Sequence, residues 1–197
     1  MDPDVTRSRK PVTGAVFETA RLVVRPYTTS ETDIDFLFDL YRRWEVQRYL
    51  GSVPKVMGSR THAATMAARL SEADASALCG AWAISRRDSG ELLGTVLLKE
   101  LPLLLKELPD AAGLAPRHDV EVGWHLHPRA WGHGYATEAA EGALTRGFDA
   151  GLPEIIALTY KENLPSQAVC RRLGMIHVGE TDRYYGTELE LFRRSPR

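Results

Sequence analysis

Glu121, His125 and His127 are the side chains whose types and spacing first suggest chemistry. In the run Val120-Glu-Val-Gly-Trp-His-Leu-His127 they share one parity with Gly123, while Val120, Val122, Trp124 and Leu126 share the other. That is the period of a half-buried strand, ended by Pro128. A carboxylate and two imidazoles therefore stand opposite an apolar row, where either group can take a proton from a nucleophile. Glu121 is the best carboxylate for that task; a structural or surface role is its other reading. His118, Asp119 and His125 are weaker candidates. Downstream, Gly132 and Gly134 let the backbone bend sharply, and from Ala136 small and apolar residues recur at helical steps through Ala143, Leu144 and Phe148. A strand, a glycine turn and a helix start present unpaired N–H groups at the positive end of a helix dipole, which suits a phosphate. The order is neither a P-loop nor GxGxxG, so a pyrophosphate held mainly by backbone is expected. A tight turn that merely packs strand on helix is the competing reading.

Trp131-Gly-His-Gly134-Tyr-Ala136 resembles the acetyl-coenzyme A signature of the GNAT superfamily of N-acetyltransferases, Gln/Arg-x-x-Gly-x-Gly/Ala. Together with Glu121-Val-Gly-Trp124 and Thr137-Glu-Ala139 it resembles the RimJ/RimL-like branch, which includes acetyltransferases of ribosomal-protein N-termini. The likeness runs from about Phe17 to Phe192, with Trp131 at the usual Gln/Arg position. It implies a single-domain α/β GNAT fold: a mixed central sheet flanked by helices, with strands at 120–127 and 154–160 splayed into a V-shaped gap for coenzyme A.

The same resemblance implies transfer from acetyl-coenzyme A to a primary amine by direct attack, and it assigns roles. The segment beside Trp131, from Gly132 through His133, Gly134, Tyr135 and Ala136 to Thr137, would cradle the pyrophosphate. The strand edge near Leu126 and His127 would carry the pantetheine arm, with N–H groups near Leu126 as the oxyanion site. Asn163 fits the Asn-x-x-Ser motif and would touch the arm, or else serve a turn through its own backbone. Ser166 would approach the thioester sulfur or cap a helix. Glu121 would be the base, often through water in this family. Many members carry a tyrosine acid where this chain has Cys170, four residues before Gly174 of Leu173-Gly-Met175. Tyr185, with Tyr184, is the replacement to test, although a thiol of pKa about 8.5 can leave unaided. An α-amine of pKa about 7.7–8 is about a tenth neutral at pH 7, whereas a lysine costs about 4.6 kcal/mol to deprotonate. A protein N-terminus is therefore the favoured acceptor. A small-molecule amine, a non-catalytic acyl-coenzyme A-binding regulatory module and a phosphate-loop nucleotide enzyme are the alternatives.

The elements that must position these residues follow in order. A strand at 18–26 precedes a helix capped by Ser30, with Asp33 as capping-box partner and Ile34, Leu37, Phe38, Tyr41 and Trp44 on one face. Trp44, Arg48 and Tyr49 are pocket candidates through the resemblance. Ser59 caps a second helix, from 60 to about 75, and 81–85 with 92–98 reads as a hairpin. The stretch 99–118 reads as an insertion beside the substrate mouth, with a helical turn at 103–108. After the helix from 136 come a strand at 154–160, a short helix closed by Gly174, and strands at 176–182 and 187–192.

At 197 residues a leader over 1–15 and one domain over 16–194 are expected. A formal net charge of −1 gives no reason to expect nucleic-acid binding. The longest apolar run, Leu101-Pro-Leu-Leu-Leu105, is too short to span a bilayer, so no membrane association is expected. Cys79 and Cys170 sit in no metal or redox spacing, which fits no metal cofactor and a reducing, cytoplasmic setting. A homodimer is a further implication of the RimJ/RimL resemblance, with no stripe in the sequence to mark its interface.

Overall fold

A computed structural model describes residues 14–72, 77–101 and 119–196 of the chain. Eight strands form one sheet in the order β1-β2-β3-β4-β5-β6-β8-β7. They are β1 Phe17–Glu18, β2 Leu22–Arg25, β3 Gly80–Arg86, β4 Leu92–Leu101, β5 Asp119–Leu126, β6 Ile155–Thr159, β7 Ile176–Thr181 and β8 Leu189–Arg194. Every pairing is antiparallel except β5 with β6. Parallel neighbours need a crossover, and here it is the helix α4, Tyr135–Asp149.

The alternation read in the sequence decides which side of the sheet each helix covers. Val120, Val122 and Leu126 of β5 are buried with Ala139, Ala140, Ala143 and Leu144 of α4 and with Val169 and Cys170 of α5, Leu164–Arg172. The alanines let α4 lie close against the strands. A second cluster gathers Leu37, Leu40 and Tyr41 of α1, Glu31–Tyr41, with Ala63 and Ala67 of α3, Arg60–Ser71. Between those two helices lies the short α2, Trp44–Gln47. The result is a mixed sheet flanked by helices, as the sequence led us to expect.

The feature that matters for the site is a missing ladder. β5 and β6 pair only at Glu121↔Ile156, so the two strands part beyond that point.

Several local expectations change. β1 pairs Phe17 with Val24 although two residues are too short to show a period. Trp44 leaves the apolar face of α1: it starts α2 and is 57% exposed. Ser30 does cap α1 by accepting from Asp33 N. The Asp33 carboxylate instead accepts from Arg25 and Thr28, so no reciprocal capping box forms. α3 ends at Ser71, β4 continues through Leu101, and the helical turn expected at 103–108 lies outside the described residues.

Candidate active site

A cleft of about 260 Å³ opens where β5 and β6 separate. Glu121, Gly123 and His125 line it from β5, Lys99 from β4, Asn163 and Ser166 from the start of α5, and Tyr185 from the β7–β8 loop. Residues far apart in sequence are thus brought together by the parting of two strands.

Glu121 is 8% exposed. Burial pushes its carboxyl up to about 7, against the opposing pull of a hydrogen bond from Tyr185 and the charge of Lys99. The Tyr185 hydroxyl donates to Glu121 Oε2 at 2.5 Å, and its own pKa is pushed upward by burial and by that carboxylate. Tyr185 has a φ of 57°, a left-handed conformation rare for a bulky residue and frequent at functional sites. Lys99, opposite Glu121 in the β4–β5 ladder, donates to the Tyr185 hydroxyl at 3.3 Å. The neighbouring Tyr184 donates to Asp119 at 2.6 Å, so consecutive tyrosines fasten one loop to alternate carboxylates of β5.

The imidazoles behave differently from each other. His125 lines the cleft, and its Nδ1 lies 3.0 Å from the Tyr41 hydroxyl. Burial lowers its pKa to about 4, so the ring is neutral. His127 is committed to the protein: Nδ1 accepts from Arg129 N, which leaves Nε2–H to donate to Asp39 at 2.9 Å. Its own N–H donates to Leu93 O. Backbone polarity alternates along an antiparallel strand, so the N–H groups of Trp124 and Leu126 point away from β4, toward the gap. Trp131, 48% exposed, braces this edge by donating its indole N–H to Leu126 O at 2.8 Å.

The turn into α4 has the open amides the sequence suggested. Gly132 and Gly134 both have φ of 78°, and Gly134 forms the N-cap without any side-chain hydrogen bond. By contrast, Ser30, Ser59 and Asn163 cap α1, α3 and α5 with their side chains. Two arginines flank the uncapped end. Arg21 donates to His133 O at 3.0 Å and lies 4.8 Å over the Tyr135 ring, which stacks on His133. Arg172 donates to Thr137 Oγ1 at 3.2 Å. A broader open groove of about 1170 Å³ begins at this end and runs along α4, with Gly134, Thr137, Arg21 and Arg172 in its wall.

Of the two roles open to Ser166, capping falls to Asn163, whose Oδ1 accepts from Ser166 N at 3.3 Å. Ser166 lies one turn in, on the cleft. Cys170 is fully buried, with its thiol pushed up to about 12 by burial, and belongs to the core. Tyr49 reaches the cleft; Arg48 stacks on its ring at 4.6 Å. Sequence reading missed Lys99 and Tyr160. Tyr160 donates to Gly51 O at 2.6 Å while Tyr49 donates to Glu162 O at 3.3 Å, a reciprocal strap across the mouth. No local pattern signals such contacts between distant segments. Among the described residues no cluster of His, Cys, Asp or Glu could hold a metal, and no helix is long and apolar enough to cross a membrane.

Comparison with known proteins adds to this geometry. The family model described as an acetyltransferase (GNAT) domain matches residues 21–176. An uncharacterized N-acetyltransferase of Bacillus subtilis (strain 168), YoaA, is 28% identical over 173 residues, covering 86% of this chain and 87% of the relative. A GNAT-family acetyltransferase from Bacillus anthracis is similar in structure, with a TM-score of 0.68 at 20% identity over 90% of this chain and 96% of its own. RimL, a ribosomal L7/L12 alpha-N-protein acetyltransferase solved with coenzyme A, gives 0.69 at 15% identity over 92% and 97%. These two structures share the fold.

Proposed function

The chain belongs to the GNAT acetyltransferase family, and from that membership we propose that it moves the acetyl group of acetyl-coenzyme A to the α-amine of a protein N-terminus, with Glu121 as base. One observation carries the reading: a buried carboxylate, held by Tyr185, faces the gap where β5 and β6 part.

The residues present fit the donor. The uncapped amides at the start of α4, flanked by Arg21 and Arg172, suit a diphosphate. The gap-facing N–H groups of Trp124 and Leu126 suit an amide-bearing arm and a developing oxyanion. Asn163 and Ser166 border the same cleft. When bound, the donor supplies an activated acetyl thioester. The protein's part is to hold it, to polarise its carbonyl through backbone N–H, and to receive the amine's proton at Glu121, directly or through water.

Proton affinity ranks the acceptors. From an α-ammonium to a carboxylate of pKa about 7, transfer costs about 1 kcal/mol; from a lysine ammonium it costs about 4.6 kcal/mol. N-termini are therefore better substrates for this base than lysine side chains.

The test is a panel of peptides and small amines incubated with acetyl-coenzyme A and read by released thiol. Peptides with a free α-amine should outpace N-blocked lysine peptides and polyamines. The reverse order would overturn the acceptor assignment. Donor binding without thiol release on every amine would point to a binding module instead.

A further inference from the structure

Four side chains form a hydrogen-bonded row from the far side of β4 to the cleft: Tyr27, Thr95, Tyr41 and His125. The direction of every proton in it follows from one end. Tyr27 Oη lies 3.1 Å from Gly94 O, and a carbonyl can only accept, so the single Tyr27 proton goes there. The 2.7 Å bond between Tyr27 and Thr95 is therefore donated by Thr95. Thr95 has no second proton, so Tyr41 donates the 3.2 Å bond to Thr95 Oγ1. Tyr41 is then spent too, and the 3.0 Å bond to His125 is donated by Nδ1–H. A neutral imidazole with hydrogen on Nδ1 carries a lone pair on Nε2.

Other observations agree. The row is closed to competition, because Tyr27, Tyr41 and Thr95 are all buried. Burial holds the Tyr41 phenol at about 12 and the imidazole at about 4, so neither changes protonation near neutral pH. Nε2 has no hydrogen-bond partner among the described residues, and His125 lines the cleft.

We propose that His125 Nε2 is a fixed hydrogen-bond acceptor in the cleft, and that it receives the first peptide N–H of an acceptor whose α-amine Glu121 deprotonates. The inference rests on the N-terminal acceptor proposed above and names the group that selects it. Four strand residues place Glu121 and His125 about 13 Å apart at Cα, on the same face, with side chains standing off the sheet. One nitrogen cannot touch both groups, and two hydrogen bonds of about 2.9 Å to successive peptide nitrogens span under about 10 Å. Glu121 therefore reaches the amine through a bridging water, while His125 takes a different group of the acceptor. A peptide offers two: the amine, and the amide N–H one residue along. A simple monoamine offers one.

The discriminating substrate is a depsipeptide in which that N–H is replaced by an ester oxygen. An obligate acceptor facing a second lone pair should lower kcat/KM by about tenfold or more relative to the peptide. In His125→Asn, whose amide can also donate, the ratio should fall toward one; intrinsic differences in amine basicity cancel between the two enzymes. Equal use of peptide and ester by the unaltered enzyme would overturn the inference alone. Silence on both substrates would overturn the proposed reaction, and the inference with it. Independently of turnover, the ¹⁵N imidazole spectrum should report His125 as the Nδ1–H tautomer. Tyr27→Phe, which removes the acceptor of the Thr95 proton and lets Thr95 donate to Tyr41 and Tyr41 to Nδ1, should shift the ring toward Nε2–H. Finding Nε2–H in the unaltered protein would also overturn the assignment.

Discussion

Tyr185 gives its hydroxyl proton to Glu121 from a left-handed backbone, at 2.5 Å, inside the cleft between two parting strands. A phenol in that bond stabilises the carboxylate, so it tunes the group proposed as base rather than standing ready to protonate a leaving thiolate. That differs from the acid role weighed for Tyr185 on sequence alone.

The first prediction concerns that bond. Glu121 must be ionised to accept a proton, so kcat/KM should fall as pH drops through about 7. Tyr185→Phe removes a hydrogen bond to a charged group, worth about 1.5–3 kcal/mol. The acid limb should therefore move upward by about one to two pH units. A limb that stays in place in a pH–rate profile would separate Tyr185 from the base.

Glu121→Gln should cost activity and add stability. General bases contribute about 10²–10⁴-fold, and kcat should fall within that range. The carboxyl titrates near 4.5 when unfolded and near 7 when folded. Between those values the unfolded chain has released a proton that the folded chain still holds, so stability declines as pH rises and levels off above 7. The penalty amounts to about 3 kcal/mol. Denaturant melts should find the Gln variant more stable than its parent at pH 8 and close to it at pH 4. Equal gain at both pH values would contradict the burial account.

At the other end of the site, Gly134→Ala places a Cβ on a residue with φ of 78°. The left-handed conformation costs an L-residue about 1–2 kcal/mol, while the nearest side-chain atom, of Arg21, is at an ordinary 3.5 Å. Strain rather than collision should loosen the turn. Coenzyme A affinity, by calorimetry, should weaken about five- to thirtyfold, with the acceptor KM little changed.

Asp33 is 1% exposed and paired with Arg25 at 2.7 Å. Burial raises its pKa, but the bonds from Arg25 and Thr28 outweigh this and hold it below the usual carboxylate range. Its contribution is present above the unfolded pKa and lost as pH falls through the folded one. Asp33→Ala strands a partly buried guanidinium and should destabilise by about 3 kcal/mol in chemical melts. No effect on acceptor KM is expected, because the pair lies outside the cleft.

Local patterns made part of this site legible. Parity along 120–127 put Glu121 on the cleft face, and the glycine turn marked the open start of α4. What escaped was long-range. Lys99 meets Glu121 through strand register, and Arg21 reaches His133 across 112 positions of sequence. His127 shares the parity of His125, yet the docking of α1 gives one to Asp39 and the other to Tyr41. Position in a strand tells which face a side chain takes; the neighbour it finds there depends on tertiary packing.

The solitary rung between Glu121 and Ile156 has a mechanical consequence. It leaves the sheet as two plates riveted at one point and otherwise joined through α4, which packs on β4 and β5, through the Arg194–Glu141 clasp from β8, and by the tyrosine contacts of Tyr184, Tyr185, Tyr49 and Tyr160. A guest with amides along its length can lie between the two free edges like an inserted stay, and stiffen one plate against the other.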